Sequence, residues 1–259
     1  MRGCGVLRQI DHLVVLVPDL DQAASVYRDA GFTVVPGGEH PTGTHNALIG
    51  FRDGSYLELI AFRTQNPLHR WYRYLEPGGG IVDLCLLSDA LLDDVQRVAS
   101  GGLAWSVSDG SRLRPDGVTI RWKGATPSDN VTGLVPFLIE DVTPRTERVP
   151  HGAEAEHANG VQGIAEVVIA VPDLPTSVEL WRTVLGHPGE AGRDRELQVP
   201  AHRFTLGPHR VVLAAADHPV LRERLTRIGT GPAVARLTTP NHGTVTVGPA
   251  WWELHGVRA

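Results

Sequence analysis

His12 and Glu58 each interrupt an aliphatic run, in DHLVVLV and in SYLELIA. A carboxylate between Leu57 and Leu59 is unfavourable unless it is exposed, ion-paired or metal-bound. An imidazole in an apolar strand either makes a structural hydrogen bond or offers a ring nitrogen to a proton or a metal. A histidine and a carboxylate together supply acid–base chemistry and two ligands for a hard or borderline divalent cation. His45 and Asn46, in GTHN, could contact a polar substrate or serve turn chemistry. Arg112, Arg114 and Arg121, interleaved with Trp122, could hold a substrate carboxylate or phosphate through bidentate bonds; the plainer reading is a solvated hairpin face. Cys85 in IVDLCLL reads as a packing cysteine rather than a nucleophile. The sequence has no GxSxG, GxGxxG or P-loop motif, so serine hydrolases, Rossmann dehydrogenases and P-loop enzymes have no local support.

The elements that must position these residues repeat along the chain. IDHLVVLVPDL at 10–20 recurs as IAEVVIAVPDL at 164–174. In both, a β-branched apolar run reads as a strand, Pro-Asp ends it, and helix-starting chemistry follows. After the first unit, residues 32–35, 46–51 and 56–62 read as strands separated by PGGEHPTG and by the Asp53-Gly54 turn, giving β-α-β-β-β. A weaker copy starts at Ile81, with a helix over 93–99 and strands near 103–107, 118–122 and 137–139. Residues 1–150 are therefore expected to hold two βαβββ modules, about 10–62 and 81–142. TPRTERVPHGAEAEHANG lacks periodicity and reads as a linker or covering loop. Residues 151–259 hold a further, less regular module or modules, with a hairpin around Gly207-Pro208, a helix over 219–228 and short strands to the end.

Strand side chains alternate between faces. Leu13, Val15 and Val17 share one face of the first strand and should meet the helix, leaving His12, Val14 and Leu16 opposite. In the strand at 56–62, Leu57, Leu59 and Ala61 form the matching apolar set and leave Tyr56, Glu58 and Ile60 opposite. His12 and Glu58 thus share the face that a curved sheet turns into a cavity.

The runs DHLVVLVPDL, GTHNALIGF, SYLELIA, RPDGVTIRW and HANGVQGIAEVVIAVPDL resemble the glyoxalase-like branch of the vicinal-oxygen-chelate superfamily. The resemblance implies an α+β fold whose repeated βαβββ modules form curved mixed sheets around a cup, helices on the outer face. Modules would pair within one chain or across a homodimer. It also implies a divalent metal held from the first and last strands of each module. His12 matches the first-strand ligand position and Glu58 the fourth. The repeat sets Asp83 and Glu166 at the His12 position of later modules; Glu58's counterparts, at 137–139 and at Leu213, are apolar. Glu140 lies just beyond the first of these, and Glu253 in WWELH is a further candidate.

The implied activity is a metal-dependent lyase or isomerase acting on a small oxygenated substrate, with Mg, Mn, Fe, Ni or Zn as the ion and Glu58 and Glu166 as candidate proton carriers. Two alternatives stand. One is a metal-free cup that sequesters a drug or metabolite. The other is an extradiol-type dioxygenase, which two histidines and a carboxylate would favour, whereas only one histidine occupies a first-strand ligand position. A net charge of −5, without a basic run, argues against nucleic acid as partner. No apolar stretch reaches the roughly 18 residues of a membrane span, and no export signal is read at the start. Two cysteines, without a CxxC, suit a reducing cytoplasm.

Overall fold

The computed structural model describes residue 7, residues 9–127 and 131–239, and the backbone of 244–246 and 253–257. The first half runs β1 (Ile10–Leu16), α1 (Leu20–Asp29), β2 (Val35–Glu39), β3 (Thr44–Gly50) and β4 (Tyr56–Phe62). It continues with β5 (Gly80–Leu87), α2 (Leu91–Ser100), β6 (Trp105–Leu113), β7 (Thr119–Pro127) and β8 (Phe137–Asp141). These strands close into a barrel in the order β1-β4-β3-β2-β6-β7-β8-β5. β1 is parallel to β4 and antiparallel to β5, so the first strands of the two modules lie side by side.

A short helix α3 (Arg145–Arg148) and a 3-10 turn (Gly152–Ala155) then lead to the second sheet. That sheet contains β9 (Gly163–Val171), α4 (Leu174–Leu185), β10 (Glu190–Arg193), β11 (Pro200–Leu206), β12 (His209–Ala215), α5 (Pro219–Arg227), β13 (Gly231–Thr238), β14 (Thr244–Thr246) and β15 (Glu253–Val257). Its order, β10-β11-β12-β9-β13-β15-β14, repeats the barrel's β2-β3-β4-β1-β5-β8-β7 without a strand equivalent to β6 among the described residues. No helix among the described residues is long and apolar enough to cross a membrane.

The repeated Pro-Asp acts as anticipated. Asp19 accepts from Gln22 N at 2.9 Å and Asp173 from Thr176 N at 3.1 Å, capping α1 and α4. Leu13, Val15, Leu57 and Leu59 pack with Tyr27 of α1 in one core that continues into Val167, Ile169, Leu213 and Trp181 of the second half. Each such fully buried aliphatic side chain contributes about 1.5–3 kcal/mol, so the two halves share their largest stabilising surface.

Three boundaries differ from the sequence reading. PGGEHPTG looks like a connection, yet its first four residues belong to β2, which closes the barrel through the single register pair Glu39 with Leu113. Glycine fits there because a Cβ on Gly37 would overlap Asn46 Oδ1, and one on Gly38 (φ +144°) would overlap the Leu113 carbonyl. β6 and β7 extend beyond their apolar cores as a long pair with much of β6 exposed, so burial gives no alternation to read. β10 is exposed throughout and held by backbone pairing to β11.

Candidate functional site

The barrel encloses a cavity of about 160 Å³. His12 enters it from β1 and Glu58 from β4, two adjacent parallel strands in which His12 pairs with Tyr56 and Val14 with Glu58. Glu58 is 7% exposed. Its Oε1 accepts from Asn46 Nδ2 at 2.6 Å, and its Oε2 faces His12 Nε2 at 3.5 Å. His40, just past β2, brings Nε2 to 3.8 Å from Oε1. A buried carboxylate is thus bracketed by two imidazoles that address different oxygens.

His12 is fixed from behind. Its Nδ1 lies 2.6 Å from Asp11 Oδ1, and its ring stacks on Tyr56 at 4.6 Å. Burial alone would raise the Asp11 carboxyl, but the Arg148 guanidinium, its hydrogen bonds and those of His12 hold it well below the ordinary range. An ionised Asp11 only accepts, so the proton in that bond sits on His12 Nδ1. Nε2 is then the ring nitrogen left to face Glu58.

Arg148 reaches Asp11 from the segment after β8, and its Nη1 also donates to the Tyr56 hydroxyl at 2.7 Å. The stretch that reads as a linker or covering loop therefore covers one side of the barrel. Trp71, Trp122 and Phe137 also line the cavity, and Phe137 meets the His12 ring edge-on at 5.4 Å. His40 is pushed down by burial, against the pull of Glu58 and with the push of Arg112. His69 also lines the cavity, and burial followed by Arg70 lowers it to about 4.

Of the residues singled out in the sequence, His12, Glu58, Asn46, Arg112 and Trp122 line this cavity; His45, Arg114, Arg121 and Asp83 do not. His45 alternates away from Asn46 on β3. Arg121 is exposed, whereas its neighbour Trp122 meets His40 edge-on at 6.0 Å. Asp83 is engaged by Arg70 and by Trp71 Nε1 at 2.8 Å, which consumes the carboxylate as an anchor for the loop bearing those residues. Glu166 lies in a separate cleft of the second sheet, neutralised by Arg236, Arg203 and Arg210. Glu140 caps α2 through Leu91 N at 2.7 Å. Glu253 starts β15, whose side chains lie outside the described residues, as does Cys4. His40 and His69 escape sequence reading because both sit in polar stretches, where no apolar neighbours mark them.

Among the described residues the one trio of potential ligand groups with atoms within 4.8 Å of one another is Asp11, His12 and Cys85. It does not suit a cation. Both Asp11 oxygens are bound by guanidinium groups, and burial pushes the Cys85 thiol up, which keeps it protonated. Two imidazoles and a carboxylate at Glu58 are the better donor set for a divalent metal. His12 also has the carboxylate partner on its far nitrogen that ligating histidines ordinarily have.

The profile of the glyoxalase-like domain family matches residues 10–185. No curated protein matches the chain in sequence. A hypothetical protein from Staphylococcus aureus has a similar structure, with a TM-score of 0.73 at 11% identity over 96% of this chain and 99% of that one. A triple mutant of 4-hydroxymandelate synthase from Streptomyces coelicolor gives 0.61 at 14% identity, over 91% and 72% of the two chains. A fusion of a xylose isomerase-like TIM barrel with 4-hydroxyphenylpyruvate dioxygenase gives 0.58 at 12% identity, over 92% of this chain and 38% of that one. At such identities the likeness is one of fold.

Proposed function

The chain belongs to the glyoxalase-like domain family within the vicinal-oxygen-chelate superfamily, and we propose that its barrel is the reaction chamber of a divalent-metal-dependent lyase or isomerase for a small oxygenated substrate. The observation that carries this reading is the bracketing of buried Glu58 by His12 and His40. His12, His40 and Glu58 would hold the ion, and a bound ion supplies Lewis-acid polarisation of a carbonyl or of vicinal oxygens.

The chain's own groups account for the rest. Asp11 holds His12 by Nδ1 and fixes the ring plane, so that Nε2 is the nitrogen presented to the cavity. Asn46 anchors Oε1 of Glu58 and leaves Oε2 to accept a substrate proton. Trp71, Trp122 and Phe137 exclude water, which strengthens each electrostatic contact inside.

His40 also favours a second reading. Two imidazoles and one carboxylate are the donor set of non-haem iron oxygenases, and the sequence alone had offered only one such histidine. Elemental mass spectrometry on untagged protein, for wild type, His12→Ala, His40→Ala and Glu58→Gln, tests both readings. Near-stoichiometric metal in wild type, lost in the variants, supports a metal centre. Anaerobic exchange of a substrate C–H for solvent deuterium then supports the lyase or isomerase, and substrate-dependent oxygen consumption the oxygenase. Metal-free wild type after reconstitution with several divalent ions would leave the sequestering protein as the better account.

A further inference from the structure

Arg112 projects from β6 into the same cavity and is 4% exposed. Among the described residues its guanidinium makes one hydrogen bond, Nη2 to the Arg148 carbonyl at 3.0 Å, and its buried Nε has no partner. No carboxylate among the described residues forms an ion pair with it. The other deeply buried arginines differ. Arg148 holds Asp11 and Asp141, Arg236 holds Glu166 and Asp194, and Arg224, which lacks a carboxylate, spends all three nitrogens on the carbonyls of Gly229, Thr230 and Pro232. Among the described residues Arg112 alone combines burial, an orphaned donor and a place in this cavity.

A buried cation without a counter-ion is costly, and the usual resolution is an anion in fork geometry. The cavity is small, and the rest of its lining is the Glu58 group, aromatic rings, two threonines, two isoleucines and Arg148, whose guanidinium is already taken by Asp11 and Asp141, so the anion is one end of a small molecule whose other end meets Glu58. We propose that Arg112 is the subsite for a substrate carboxylate, so that the substrates of this barrel are small 2-oxo or 2-hydroxy acids. This rests on the reading of Glu58 and the two histidines as the reactive end. Burial pushes the Arg112 guanidinium down from its usual range, with Tyr56 and Glu58 pulling the other way, as befits a charge awaiting a partner.

The test uses the whole chain and two readouts. Thermal unfolding of ligand-free protein compares wild type with Arg112→Met, a similar volume without charge; the expected result is an unchanged or higher midpoint, because an uncompensated charge is removed. Quenching of Trp71 and Trp122 fluorescence is titrated with glyoxylate, pyruvate and lactate, with methyl pyruvate as the neutral analogue and inorganic phosphate as the rival anion.

At least one of the acids should bind wild type at least about tenfold more tightly than methyl pyruvate, and Arg112→Met should lose that preference, since the ester cannot form the charge-assisted hydrogen bonds that a carboxylate makes with a guanidinium. A lower midpoint for Arg112→Met assigns the residue a structural role and overturns the proposal. Absence of binding by all three acids, equal binding of the ester, or binding of phosphate alone also overturns it. Wild type and Arg112→Met separate the two claims: acid binding that depends on Arg112, together with no metal and no turnover in wild type, keeps the carboxylate subsite and removes the enzymatic reading.

Discussion

Arg148 grips Asp11 through two parallel hydrogen bonds, Nη1 to Oδ1 at 2.9 Å and Nη2 to Oδ2 at 2.8 Å, across 137 residues of sequence. Both side chains are almost without solvent exposure, and Arg148 also holds Asp141 at the end of β8. The fork fastens the covering segment to the barrel and fixes the proton on His12 in the same contact.

Arg148→Met removes both parallel bonds and leaves the buried Asp11 carboxylate to Arg145 and His12. The expected loss is about 3 kcal/mol, the low end for a broken buried pair because one guanidinium remains, read as a lower urea midpoint with an unchanged slope. Asp11→Asn combined with Arg148→Met should recover part of it, because the under-compensated charge is gone. A single-variant loss below about 1 kcal/mol would mean that Arg145 and His12 compensate Asp11 by themselves.

Asp11→Asn alone acts on the site more than on the fold, because Arg148 keeps Asp141. The amide can offer an oxygen or a nitrogen to His12 Nδ1, so the tautomer is no longer dictated. Removing such a partner behind a ligating histidine typically weakens metal affinity by about 10–100-fold, to be read by competition with a chromogenic chelator. Unchanged affinity would show that ring stacking on Tyr56 holds His12 by itself.

Much of this arrangement was legible where burial forces a pattern. The period-2 alternation in residues 10–16 and 56–62 assigned His12 and Glu58 to one face, because each strand has a helix-facing apolar set that admits no other register. The Pro-Asp repeat marked both helix caps. His40 and His69 were not marked as site residues, and Arg112 stood only among three arginines whose plainer reading was a solvated hairpin face, because their elements have no alternation. β2 is glycine-rich at a closure seam, the 63–71 connection is polar, and β6 is largely exposed, so tertiary closure alone turns these side chains inward. The partners of Asp83 and Glu166 are arginines distant in sequence or on neighbouring strands, which one-dimensional spacing does not disclose.

Stability should fall in two stages on acidification. Unfolded histidines bind a proton near pH 6.5, whereas burial holds His69 neutral down to about 4 and pushes His40 down too. The unfolded chain therefore carries more protons between those values, so stability rises with pH across that window and is lost as pH falls from 6.5 toward 4. Asp11, held below its ordinary 3.8, adds stability present above that value and lost below it. Urea midpoints from pH 7 to pH 4 check the first stage, and His69→Gln should flatten it. A slope identical to wild type in that variant would shift the burden to His40.

Gly37→Ala tests whether the barrel seam sets the site. The added Cβ would overlap Asn46 Oδ1, and Asn46 is the residue that donates to Glu58. Either the seam between β2 and β3 opens or Asn46 rotates away, and both outcomes loosen Glu58. A destabilisation of about 1–3 kcal/mol is expected from the overpacking, together with weaker metal binding. Gly37→Ala with Asn46→Ser should regain part of the stability, since the side-chain overlap is relieved, without regaining the site, because serine is too short to span the distance to Glu58. Recovery of both would mean that Glu58 is positioned by its own strand and needs no donor. Recovery of stability alone makes the glycine pair in β2 a condition of function as well as of closure.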